Sequence, residues 1–166
     1  MDGVDHDRSE GWLARDDPGS VRGQGQDVGG DVEKISSDTS PDPDFYKVSE
    51  DQALADHKPF ALVFATPKFC TSQLCGPQLD TVKNIAKSYP GVTFINVEPY
   101  KLEETDGQLQ PVLDANGQLQ PVPAVDAFGI LSEPWLYVVD RNGVVAGSFE
   151  GVFAESELRA ALDKVK

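Results

Sequence analysis

The chain has 166 residues, 39% of them hydrophobic, and a formal net charge of −14. That is enough for one ordinary domain with its own core. The acidic balance disfavours nucleic acid and anionic membrane surfaces as partners, since both need a basic footprint. No apolar run of about 18 residues is present to span a bilayer, and no apolar signal-peptide core follows Met1.

Residues 1–44 hold 12 Asp and Glu against 4 Lys and Arg, so they account for −8 of the −14. They are rich in Gly, Asp, Ser and Pro, and Trp12 is their one aromatic residue. Such a stretch buries too little apolar surface to offset its ordering entropy, so 1–44 reads as a disordered acidic tail or linker. A tether or partner-binding arm is the functional alternative. Residues 45–166 then form the folded domain.

Ser49-Glu50-Asp51-Gln52 has the pattern of a capping box and predicts a short helix to about His57. Pro59 to Ala65 is a short apolar run that predicts a buried strand. Next comes Thr66-Pro67-Lys68-Phe69-Cys70-Thr71-Ser72-Gln73-Leu74-Cys75-Gly76-Pro77, which contains both cysteines. Leu74, Leu79, Val82, Ile85, Ala86 and Tyr89 recur at helical spacing, so a helix is expected from Thr71 to Tyr89, with Pro77 marking a kink or a true start nearby. Cys70 would then sit where a strand hands over to a helix N-terminus. Free N–H groups and the helix dipole stabilise a thiolate at such a place. Two cysteines this close suggest redox or metal chemistry, or one structural bridge.

Val92 to Val97 predicts the next strand. In the following loop, 99–121, Gly107-Gln108-Leu109-Gln110-Pro111-Val112 recurs unchanged as Gly117-Gln118-Leu119-Gln120-Pro121-Val122. Two copies are too few for a solenoid. The turn pairs Asp106-Gly107 and Asn116-Gly117 let each copy form one arm of a hairpin, and a long loop in a compact domain suits a lid or a recognition element. Pro123 to Phe128 predicts a short helix ended by Gly129. Trp135 to Val139 and Val144 to Phe149 are strands joined at Asn142-Gly143, and Leu158, Ala161, Leu162 and Val165 mark the buried face of a last helix over about 154–165.

The order α-β-α-β-α-β-β-α, with the cysteines between the first strand and the second helix, resembles the thioredoxin fold. The strand–Cys–helix junction, Pro77, Gly129-Ile130 with Glu133-Pro134-Trp135-Leu136, and the Asn142-Gly143 hairpin bear the likeness over roughly 46–166. It implies an α/β fold with a thioredoxin-like three-layer α/β/α arrangement and a central mixed sheet. It also implies a thiol–disulfide oxidoreductase of cell redox homeostasis, acting on protein disulfides or thiols with a thiol reductant. Cys70 would attack and Cys75 would resolve. Pro134, as a cis-proline, would shape the substrate groove beside Glu133 and Trp135. Lys68 would lower the Cys70 pKa, Phe69 would shield one side, and Glu133 would oppose thiolate formation.

Four residues separate the cysteines, where thioredoxins usually have two. On an ideal helix, residues five apart point to different sides, while a disulfide needs Cα atoms within about 7 Å. Either Cys70 precedes the first helical turn or that turn unwinds on oxidation. One branch of the peroxiredoxins has the same gap and a Thr-Pro pair like Thr66-Pro67, which gives a thiol peroxidase as the alternative. A non-catalytic interaction module is the third reading. No cofactor and no metal are expected: the histidines, His6 and His57, complete no metal site. The expected state is a soluble monomer, cytoplasmic or extracytoplasmic after removal of a leader or anchor.

Overall fold

The computed structural model describes residues 31–166; the expectations for residues 1–30, with His6 and Trp12, fall outside the described residues. Helix α1 spans Glu50–Ala55, strand β1 Phe60–Phe64, helix α2 Cys75–Ala86 and strand β2 Thr93–Val97. Strands β3 (Leu102–Thr105) and β4 (Gln108–Pro111) follow, then helix α3 (Pro123–Phe128), strands β5 (Trp135–Val139) and β6 (Val145–Glu150), and helix α4 (Glu155–Leu162).

The main sheet has the order β2-β1-β5-β6. Strand β1 pairs parallel with β2 and antiparallel with β5, and β5 pairs antiparallel with β6, so the sheet is mixed. All five residues of β1 are buried, as expected of a strand covered on both faces. Its period of two sorts them. Ala61 and Val63 join Leu136 and Val138 under α2 and α4, while Phe60, Leu62 and Phe64 join Val139 under α1 and α3. This is the three-layer thioredoxin-like arrangement expected from the chain order.

Local chemistry explains the boundaries. Ser49 Oγ accepts from the Gln52 amide and caps α1. Gly129 closes α3 in the left-handed region at φ 63°. Asp140 Oδ1 accepts from the amides of Asn142 and Val144 and holds the β5–β6 turn.

One expectation is resolved and one needs correction. Of the two readings of Pro77, a kink or a true start nearby, the structure takes the second: residues 71–74 are outside the helix, with Gln73 at φ 60°, and α2 starts at Cys75. Pro77 therefore lies in the first turn, where its missing N–H costs no intrahelical bond. Not all of 1–44 is a disordered tail. Residues 31–44 lie on the domain through contacts that composition does not report. Val32, Ser36 and Ser37 are buried, Ser36 Oγ shares a hydrogen bond with Tyr46 (2.7 Å), and Lys83 reaches Asp38 at 2.6 Å.

The 99–121 segment is two hairpins. Asp106 and Gly107 both take positive φ, as a tight two-residue turn requires, and join β3 to β4. The second turn at Asn116-Gly117 brings Leu119 beside Leu113. Each GQLQPV copy thus supplies the return arm of its hairpin. The Val122 amide donates to the Pro99 carbonyl (2.9 Å), closing the segment at its root.

Candidate functional site

Sheet register brings the site together. Phe64, the last residue of β1, pairs with Val97, the last of β2, and with Trp135, the first of β5. The cysteine loop leaving β1, Glu98 leaving β2 and Glu133-Pro134 entering β5 therefore meet at one end of the sheet. Cys70 and Cys75 form a disulfide with their Cα atoms 6.1 Å apart. In this bridged state Cys70 lies before the helix and Cys75 begins it, which lets two sulfurs five positions apart meet. The first helical residue is Cys75, not Cys70, so the cysteine beside the free helical N–H groups is the buried one. Cys75 is wholly buried and Cys70 is 9% exposed, so an incoming group reaches Cys70 first.

The Glu133–Pro134 peptide bond is cis. The Glu133 carbonyl oxygen lies 3.9 Å from Cys70 Sγ and accepts a hydrogen bond from Ser72 Oγ at 3.0 Å. Ser72 Oγ also lies 3.1 Å from Cys70 Sγ. The Glu133 carboxylate accepts from the Tyr100 hydroxyl at 2.9 Å, and Tyr100 stands at the root of the double hairpin. Burial, with the Glu133 carboxylate adding to it, pushes the Tyr100 phenol up to about 12, so it is a donor at neutral pH.

Cys70, Cys75, Glu133 and Pro134 thus come together. Lys68 directs its ammonium to the Leu109 carbonyl in the first GQLQPV copy (3.2 Å) and lies 5.3 Å over the Phe69 ring. Half-buried Phe69 is fixed by its amide on the Thr66 carbonyl. Half-buried Trp135 packs with Tyr137 (ring centroids 6.0 Å) and donates through Nε1 to Ser148 Oγ (3.3 Å).

Three groups escaped the sequence. Ser72 was visible only as a spacer between the cysteines, and nothing in the pattern marks it as the hydroxyl that faces the sulfur. Tyr100 lies in a segment with no periodicity. Glu98 follows an apolar strand directly, the one signal that it is buried; its carboxylate accepts from the Ser37 amide at 2.6 Å. Burial, partly offset by that amide, pushes the Glu98 carboxyl up to about 7.

No protein-family model matches the chain, and no curated protein matches it. Solved structures similar to it include MTB DsbF in its mixed oxidized and reduced forms. That match has 22% identity over 66% of this chain and 82% of that one, with a TM-score of 0.47. The pneumococcal exposed lipoprotein thioredoxin Etrx1 from Streptococcus pneumoniae is 19% identical over 68% and 90%, at 0.45. A thio-disulfide isomerase from Thermus thermophilus is 24% identical over 70% and 83%, at 0.48. These are likenesses of structure; what the site does rests on its own residues.

Proposed function

We propose that the protein is a thiol–disulfide oxidoreductase acting on protein disulfides through Cys70 and Cys75. The observation that supports this most is the placement of the more exposed cysteine, Cys70, against the carbonyl of Glu133 in the cis-proline loop. In the forward direction the Cys70 thiolate attacks one sulfur of a substrate disulfide and expels the other as a thiolate, forming a mixed disulfide. The Cys75 thiolate, its proton lost to solvent, then attacks Cys70 Sγ, releasing the second substrate sulfur and closing the intramolecular bridge. A dithiol reductant reopens the bridge. Buried Pro134 and the Glu133 backbone form the wall along which an extended substrate lies.

Reduction of a model protein disulfide such as insulin, with dithiothreitol as electron source, tests this. The wild type is expected to accelerate reduction. Cys70→Ser should give the uncatalysed rate, and Cys75→Ser should accumulate a mixed disulfide through Cys70. A wild-type rate no faster than dithiothreitol alone overturns the proposal.

One observation favours a second reading, a static bridge in an interaction module: both cysteines are at least nine-tenths buried. A bond that resists millimolar dithiothreitol in the folded protein supports that reading against the first. The peroxidase reading gains no group from Thr66, whose hydroxyl shares a hydrogen bond with Ser37 Oγ at 3.1 Å.

A further inference from the structure

Between the two cysteines, Ser72 faces two acceptors at nearly equal distance: the Glu133 carbonyl oxygen at 3.0 Å and Cys70 Sγ at 3.1 Å. A hydroxyl has one proton to donate. The Leu74 amide donates to Ser72 Oγ at 3.4 Å and helps fix the hydroxyl's position. In the oxidised protein Cys70 is a neutral disulfide sulfur, a poor acceptor beside an amide carbonyl, so the proton goes to Glu133. Reduction changes that ranking.

We propose that Ser72 is a redox-driven hydroxyl switch. Its proton sits on the Glu133 carbonyl when the bridge is closed and turns to the Cys70 thiolate when the bridge opens, freeing that carbonyl for the backbone of an extended disulfide-containing substrate. This deepens the oxidoreductase reading and rests on it for the identity of the occupant. Reduction by a dithiol breaks the Cys70–Cys75 bond and oxidises the dithiol to its disulfide. Of the dithiol's two protons one goes to Cys75 and the other to solvent, leaving Cys70 as thiolate. Hydrogen bonds to an ionised acceptor are about twice as strong as those between neutral groups, so the hydroxyl follows the charge. Two effects come from one rotation. The thiolate gains a donor that lowers its pKa, and the loop gains an open acceptor only in the redox state that attacks substrate. Closing the bridge returns the proton to Glu133, which competes with the bound backbone and favours release. Ser72 is therefore a positioning residue with an electrostatic effect on Cys70.

Two measurements test it, and neither depends on turnover. The first is the apparent pKa of Cys70 in the reduced protein, from the pH dependence of iodoacetamide alkylation, with the labelled residue identified by mass spectrometry. Ser72→Ala should raise it by about one unit, slowing alkylation about tenfold below both values, and Ser72→Thr, which keeps the hydroxyl, should restore it. The second is the carbon-13 resonance of the Glu133 carbonyl. It should move upfield on reduction in the wild type and Ser72→Thr, and hold the reduced-state position in both states of Ser72→Ala. An unchanged Cys70 pKa in Ser72→Ala, or a Glu133 resonance that still responds to reduction in that variant, overturns the switch. Failure of the alkylation shift in a protein that reduces insulin sinks the switch alone. A full shift in a protein without turnover sinks the oxidoreductase reading alone.

Discussion

Glu98 ends β2 with a carboxylate that water scarcely reaches, 2% exposed and held by the Ser37 amide. Its ordinary value is 4.5 and its folded value about 7. Between those limits the folded protein keeps a proton that the unfolded chain has released. Stability therefore falls as pH rises through that window, by about 1.4 kcal/mol per unit at its centre, and the cost is complete above about pH 7 and absent below about 4.5. Glu98→Gln keeps an acceptor for Ser37 and removes the charge. Urea unfolding should show the wild type losing more stability between pH 5 and pH 8 than the variant, by about 2 kcal/mol; equal losses would mean that Glu98 titrates normally. The same carboxylate lies at the end of the sheet that holds the disulfide, so this proton belongs to the neighbourhood of the site as well as to stability.

At the scale of elements, β6 and α4 approach so closely that only glycine fits at one point. A Cβ built on Gly147 would lie 2.8 Å from the Ala161 Cβ and 3.2 Å from the Phe149 ring. Ala161 is on α4 and cannot rotate its methyl away, so strand and helix must separate. Gly147→Ala should cost about 1–3 kcal/mol, read as a lower urea midpoint, and adding Ala161→Gly should recover part of it. A Gly147→Ala protein as stable as wild type would show that the helix yields freely. Just before the domain, the 31–40 stretch is clamped by Lys83, whose ammonium reaches Asp38 at 2.6 Å and the Ser40 carbonyl at 3.0 Å, with both ion-pair partners mostly buried. Burial opposes the charge on Lys83, but Asp38 and Asp80 outweigh it and raise its pKa. Lys83→Ala should cost about 2 kcal/mol and speed hydrogen exchange at the Ser37 amide more than in β1. Uniform protection across both would dissolve the clamp.

At the scale of the molecule, what could be read from the sequence was what periodicity and turn chemistry encode. The apolar run 60–64, the 3.6 spacing of Leu79, Val82 and Ile85, and the punctuation at Gly129 and Asn142-Gly143 led to the right layers, because each element's buried face is written in its own residues. Contacts between distant polar groups are not written that way. Asp38 meets Lys83, Ser37 meets Glu98, and Tyr100 meets Glu133 across 33 or more positions, and composition read the first two partners as tail. Pro77 marked the true helix start, but its exact place was not legible: Leu74 fits the helical spacing, and Gln73 in the left-handed region keeps it out of the helix. The double hairpin has a further consequence. Its two ends are tied by the Val122–Pro99 hydrogen bond and the Tyr100–Pro121 bridge, so it leaves β2 and enters α3 through one narrow stem. A ten-residue unit can then be added beyond that stem without moving the strands beneath, while the first copy stays tied to the cysteine loop by the Lys68 ammonium on its Leu109 carbonyl. The doubled GQLQPV is a local tandem duplication in a part of the molecule that stands off the main sheet, while Tyr100, planted in the stem, stays at its post.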